Sequence, residues 1–373
     1  MYKRILRLFI CSYLILISSF SEAQVVIEKY AEVPYSVGNI AYNYKNELVY
    51  SNHPFFSPDI RVMHYNSKSK IASPFPNNKW NTRRKMDDMY LDDVLGIRND
   101  NNGVVWMLDM GLKSNITPKL VGWDTRKNIL KRIYYIPKPA SVNSSQLNDF
   151  VVDMKHHVFV IADEGIGRGG DGSKGALVIV DMKTGITRRI LEGHESTRAD
   201  TKSPIVIDGK IMSSVKNGKP NPLFVGADGI TLDKKNEWLY FAPLSGRKLF
   251  RIRMDYVVND NLNVIELNSK VECYSSKPNN GGLSIDRDGN LYFTNIENKS
   301  IGMISVKDRS YSIYGVNDEM FWPDGLSYNK DGYMYVSAAQ VYLGAPFNMG
   351  VDKVIKPFYI FRFKPKVKGI FGR

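Results

Sequence analysis

Only two cysteines, Cys11 and Cys273, occur in 373 residues, too few for the disulfide frameworks that hold small secreted domains together. A chain of this length buries enough apolar surface without such staples. Histidine is scarce as well, with five in all, and no Cys/His clusters stand at zinc-ligand spacing. No GxSxG turn marks a hydrolase nucleophile, and no Ser/His/Asp order stands out. No stretch keeps an apolar period near about 3.6 residues, which excludes a helical core. Past the amino-terminal segment, no apolar run is long enough to cross a bilayer.

That first segment, residues 1–23, has its own character. Lys3, Arg4 and Arg7 lead into LFICSYLILISSF, and Ser21-Glu22-Ala23 offers small residues where a signal peptidase cuts. A signal peptide is therefore expected at 1–23. The mature chain, 24–373, would be secreted or periplasmic and carry no transmembrane segment. Phe9-Ile10 ahead of Cys11 lacks the small residue that lipidation needs, and Cys273 is read as a quiet strand thiol. The formal charge of +13 falls to about +11 without the signal, and its bases are scattered among acids. Arg362, Lys364, Lys366 and Lys368 form the one basic run, read as a solvated tail. With no recognition motif beside them, nucleic acid is excluded as a partner.

What the chain does have is one phrase in six copies. A polar or glycine-bearing entry leads into an apolar strand, a tight polar turn and an aromatic-rich strand. The copies are GNIAYNYKNELVYSN (38–52), DVLGIRNDNNGVVWMLD (93–109), NDFVVDMKHHVFVIAD (148–163), DGITLDKKNEWLYFAP (228–243), GGLSIDRDGNLYFTN (281–295) and DGLSYNKDGYMYVSA (324–338). Matched by letter, they align Tyr42, Ile97, Val152, Leu232, Ile285 and Tyr328. Asp288-Gly289 and Asp331-Gly332 supply the positive φ that tight hairpins require. Further strand-like pieces between copies complete four-stranded sheets. Six such repeats predict an all-β, six-bladed propeller, a ring that leaves only short edges exposed. No linker divides it, so one domain spans 24–373. The longest gap, residues 191–222, predicts an insertion with a short helix around 195–199, covering one mouth of the ring.

In such a ring, residues entering the first strand and leaving the second gather at one mouth. The entry positions are Asn39, Asp93, Asn148, Asp149, Asp228, Asn280 and Asp324. The return positions are Asn52, His53, Asp109, Asp163, Glu164 and Asn295. A rim of carboxylates and carboxamides can hold a hard cation such as Ca²⁺, orient a polar small molecule, or act as a general base once burial raises a pKa. Asx residues before a strand also cap turns through local backbone bonds. Asp228 and Asp324 lead the candidates, because each opens an Asp-Gly step into an inner strand. Trp322, Phe321 and Phe224 are placed to stack on a flat ligand or to meet an amine. The string Gly165-Ile-Gly167-Arg-Gly-Gly170 matches a dinucleotide fingerprint by letter, but a strand follows it instead of a helix. His156 and His157, as strand neighbours, point to opposite sides and make poor joint ligands.

Several segments, PFPNNKWN (74–81), VLGIRNDNNGVVWMLDMG (94–111), LNDFVVDMKHHVFVIADEG (147–165), DGITLDKKNEWLYFAPLSGRKLFRI (228–252) and FWPDGLSYNKDGYMYVSAAQV (321–341), resemble the major royal jelly protein and Yellow family. They are most similar to its bacterial, dopachrome-tautomerase-related branch. The resemblance implies a six-bladed propeller, in agreement with the repeat count. It implies less about activity. Some insect Yellow proteins are linked to dopachrome conversion, salivary relatives bind biogenic amines, and royal jelly members are nutrients. The cysteine pairs usual in the insect branch are missing here. Fold does not decide function, and the expectation from the sequence is a propeller binding a small aromatic or amine-bearing molecule in its channel. A dopachrome-type isomerase, a metal-dependent lactonase-like hydrolase and a structural propeller plugged by its insertion are the alternatives.

Overall fold

Each of the six copies folds as the inner hairpin of a four-stranded antiparallel sheet, in a computed structural model that describes residues 24–84 and 87–373. The signal peptide expected at 1–23 lies outside the described residues. The innermost strands of blades 1 to 6 are Val37–Tyr42, Val94–Asn99, Leu147–Asp153, Ala227–Leu232, Asn280–Ile285 and Pro323–Tyr328. Neighbouring blades pack face to face, so the two inner strands of each blade are largely buried on both sides, and the second of each pair is mainly apolar, as in VVWMLD and VFVIAD. Trp106, Phe150 and Phe159 fill one such seam between blades 2 and 3, with the Trp106 and Phe159 rings edge to face at 4.7 Å. Each large side chain so buried contributes about 1.5–3 kcal/mol.

Blade 6 takes its outermost strand from the other end of the chain. Glu28–Val33 pairs antiparallel with Phe358–Phe363, and this seam closes the ring. The residue pattern of 28–33 gave no sign of it.

A feature common to all six blades shapes the axis. Between equivalent ladder pairs, the inner strand carries one residue more than its partner, as between Leu147↔Asp163 and Phe150↔Ile161. The same β-bulge recurs in the other five blades. The two bulge residues are Gly38-Asn39, Leu95-Gly96, Asn148-Asp149, Asp228-Gly229, Gly281-Gly282 and Asp324-Gly325, in blade order. Bulges bend a strand and re-aim its side chains. They also free backbone groups, and hydroxyls from the next-door blade satisfy some of these. Ser51 Oγ donates to the Leu95 carbonyl at 2.6 Å, Thr294 Oγ1 to Asp324 at 3.0 Å and Ser337 Oγ to Gly38 at 2.6 Å. Four of the six blades have glycine at the second place, where packing leaves little room for a side chain. A Cβ on Gly96 would lie 2.0 Å from the Asn148 carbonyl oxygen, and one on Gly282 would lie 2.4 Å from that of Asp324.

The bulges correct the alignment made by letter. Counted from them, Asn99 takes the place of Tyr42, Val152, Leu232, Ile285 and Tyr328, while Ile97 matches Ile40 and Phe150. Two further expectations change. Residues 195–199 form turns, not a helix. Ser196 donates its backbone N–H to His194 Nδ1, and Thr197 Oγ1 donates to the Leu191 and His194 carbonyls, so side chains compete with the helical ladder. The insertion does cover one mouth, through Ile205, Ile207 and Met212 packed on Leu244, Trp322 and Val341. The end of the chain is not a solvated tail. It crosses the opposite mouth, where Gly369 bridges to Asp286, Phe371 stacks on Tyr42 at 5.7 Å, and Arg373 Nη1 donates to the Leu232 carbonyl at 2.7 Å.

Candidate axial binding site

The first bulge residues of the six blades read Gly38, Leu95, Asn148, Asp228, Gly281 and Asp324. Leu95, Asn148, Asp228 and Asp324 line a small cavity of about 30 Å³. A second tier comes from the residue just past each returning strand, including His53, Glu164 and Leu244. Gln146, Phe55 and Trp322 complete the polar and aromatic wall beneath the insertion. Trp322 is held at φ +53°, a conformation that a bulky residue keeps only where its surroundings enforce it.

Three acids thus share one pocket. Asn148 Nδ2 donates to Glu164 Oε1 at 2.9 Å and to Asp228 Oδ1 at 2.7 Å, and Gln146 Nε2 donates to Glu164 Oε2. Burial first, and then the charges of Asp324 and Asp163, push the Glu164 carboxyl up to about 8, against the pull of its amide donors. Burial followed by Asp149 pushes Asp324 up to about 8. Asp228 rises well above the usual carboxylate range for the same first reason, with Glu164 and Asp324 adding to it. Glu164 and Asp324 therefore trade protons near neutral pH, with no lysine or arginine lining the pocket to offset their charge.

The one lining base offers no relief. Burial lowers His53 to about 3, so its ring is neutral. Its Nδ1 accepts from the Phe55 backbone N–H at 3.3 Å, which leaves the proton on Nε2, 3.6 Å from Asp324 Oδ2. That contact is consequently no ion pair. Lys277, the nearest buried ammonium, spends its protons on the carbonyls of Pro243, Gly246 and Pro278.

Asp149, the second bulge residue of blade 3, is neutralised from within. Arg98 Nη2 and Nε both reach its carboxylate, and Arg98 Nη1 spans the axis to the Leu326 carbonyl at 2.7 Å. The pair is buried on both sides. It forms a floor beneath the acidic pocket, and nothing in the residue pattern marked Arg98 for this position.

Of the ten residues singled out in the sequence, Asn148, Asp228, Asp324 and Trp322 come together and Asp149 lies beside them. The other five sit apart from the cavity. Asp93 and Asn280 precede the bulge, so their side chains are set back from the axial positions; burial and the nearby Asp109 still raise Asp93 to about 7. Asp109 caps the backbone N–H groups of Asp92 and Asp93, each at 2.9 Å, and pairs with fully buried Lys119. Asp163 caps Gln146 and Gly165 and pairs with Arg189. Asn295 caps Glu297 at 3.2 Å. Phe321 lies under Lys299 instead of facing the pocket, and Phe224 is not among its lining residues. Glu164 and His53 were return positions, whereas Gln146 carried no signal in its surroundings.

The donor set is all oxygen and suits a hard cation. Among the described residues, however, no three His, Cys, Asp or Glu side chains come together as a metal-ligand group. The Asn148 amide stands between Glu164 and Asp228, so the arrangement as it stands does not fit a resident divalent ion. No helix of the described residues is long and apolar enough to cross a membrane.

A family model described as major royal jelly protein matches residues 93–353. No curated protein matches the chain in sequence. Solved structures show the fold at low identity. A luciferin-regenerating enzyme superposes with a TM-score of 0.59 at 14% identity, covering 93% of this chain and 98% of its own. A Xanthomonas campestris protein described as a gluconolactonase gives 0.57 at 9% identity, covering 91% and 89%. An Agrobacterium tumefaciens calcium-binding protein, regucalcin, gives 0.57 at 11% identity, covering 93% and 96%.

Proposed function

This chain belongs to the major royal jelly protein family, and from that premise we propose that its propeller binds a small molecule through a positively charged amine seated at the ring axis. One observation carries this reading. Glu164, Asp228 and Asp324 line a single buried pocket that contains no lysine or arginine. Burying unpaired carboxylates is costly, and a cation is what restores the balance. An ammonium group offers three N–H donors to three acids, and about 30 Å³ accommodates that group but no ring system. The aromatic body of such a ligand would lie toward Phe55 and Trp322, under an insertion that must shift to admit it. The pattern of residues 1–23 supports a site of action outside the cytoplasm.

Because Glu164 and Asp324 titrate near 8, amine binding expels protons. Affinity should rise as pH climbs through about 8 and fall again as the amine itself loses its charge near about 10. Calorimetric titration with tyramine, against 4-hydroxyphenylacetate as the acid analogue, tests the proposal. Tyramine should bind, the acid should not, and Asp228→Asn should weaken tyramine at least about tenfold, close to the loss of one charged hydrogen bond. Silence toward every amine tried, or binding indifferent to Asp228→Asn, would overturn it. Heat with Ca²⁺ alone would favour an ion site instead.

The same acids favour a second reading, a dopachrome-type isomerase. A carboxyl poised near 8 both donates and accepts protons at neutral pH, and a tautomerisation takes a proton from carbon and returns one to oxygen. Turnover of dopachrome that disappears in Glu164→Gln would support this. Equal rates in the two proteins would remove Glu164 from any chemistry.

A further inference from the structure

Along the rim of the mouth that the insertion covers, two open clefts of about 630 and 580 Å³ meet at Ser173. Loops 137–146 and 164–175 wall the first, and the insertion with the 243–248 turn walls the second. Seven lysines and arginines against three acids give this trough a net positive charge. Lys138, Lys174, Arg198 and Lys202 are exposed, and among the described residues none is in an ion pair. Arg168 bonds only neutral groups, the Asn115 side chain and the Leu112 carbonyl. The three acids offset part of this charge, Asp171 beside Lys174 and Asp200 beside Lys202. Asp171 accepts from Ser173, Asp200 from Ser203, and Glu195 faces Lys248 at 3.3 Å.

We propose that this trough binds a linear polysaccharide carrying carboxylates, a polyuronate, laid along the rim beside the axial pocket. The bases are spread over separate loops of blades 3 and 4, a spacing that suits a chain with repeating charge better than one small anion. Asn143, Ser144 and Thr201 place amide and hydroxyl groups between them, which suit sugar hydroxyls. Phe250, the one aromatic in these walls, is buried. A single-stranded nucleic acid would therefore find charge but no ring on which to stack its bases.

Binding is measured by calorimetry on the whole protein with polygalacturonate, its fully methyl-esterified form and an oligodeoxynucleotide. Polygalacturonate should bind at low ionic strength and weaken at least about tenfold as the Debye length shrinks from about 30 Å to about 8 Å. The esterified polymer, with the same backbone and no charge, should not bind. The triple variant Lys138→Glu, Lys174→Glu, Lys202→Glu should lose at least about tenfold in affinity, the order expected when attraction turns to repulsion at three sites. A control with the same charge change away from the rim, Lys68→Glu, Lys70→Glu, Lys307→Glu, should lose little. Equal losses in the two triple variants, binding of the esterified polymer, or tighter binding of the oligodeoxynucleotide would each overturn the assignment. These readouts do not depend on the amine site.

Discussion

Replacing Glu164 with glutamine should make the unliganded protein less stable or unchanged in acid and more stable in mild base. The Glu164 carboxyl is raised from 4.5 to about 8 in the fold. Between those limits the folded state holds a proton that the unfolded chain releases. Stability therefore falls as pH rises, by up to about 1.4 kcal/mol per pH unit for this one group. Over the whole window the loss is on the order of 5 kcal/mol. Glutamine keeps one acceptor oxygen, enough for either the Asn148 or the Gln146 amide, and never ionises. At pH 5, where Glu164 is still protonated, the substitution should cost no more than about 1 kcal/mol, the worth of one altered hydrogen bond. At pH 8.5 the variant should exceed the parent by roughly 3 kcal/mol, part of it arriving through Asp228, whose pKa Glu164 helps to raise. Urea unfolding at half-unit pH intervals reads both curves. They should cross between the two extremes. A difference that stays constant with pH, or a variant less stable at pH 8.5, would refute the idea that these acids are buried without compensation.

Further substitutions probe the scaffold. Gly96→Ala drives a Cβ into the Asn148 carbonyl and should cost about 3 kcal/mol, as overpacking does. Gly332→Ala, at φ +94° with open space around it, should cost only about 1 kcal/mol in the same denaturation assay. Arg98→Met strands the buried Asp149 carboxylate and should cost about 3–5 kcal/mol, whereas Arg98→Met with Asp149→Asn should recover most of it. A double variant as unstable as the single one would mean that Arg98 acts through packing alone.

The ring was legible because repetition multiplies a weak signal. One hairpin such as that of residues 281–295 proves little, but six in register leave few alternatives. Position within the ring was harder to read. A bulge inserts a residue without changing composition, so matching letters placed Asp93 beside Asp228 and Asp324, although Leu95 occupies that place. Asp109 and Asp163 looked like ligands for a related reason. An Asx that caps a strand and an Asx that faces a channel share the same neighbours in sequence. They differ only in partners contributed from farther along the chain, here Lys119 and Arg189. Arg98 was invisible because its carboxylate lies in another blade.

The seam between Glu28–Val33 and Phe358–Phe363 also governs the order of events during synthesis. Its outer ion pair, Glu28 to Arg362, joins residues 334 apart. The ribosome releases the first half of this clasp almost an entire chain before the second exists. Until then the early strand is a bare edge, open to pairing with any neighbour. A transcript cut short near its 3′ end would thus yield chains that each carry an orphan strand seeking a foreign sheet.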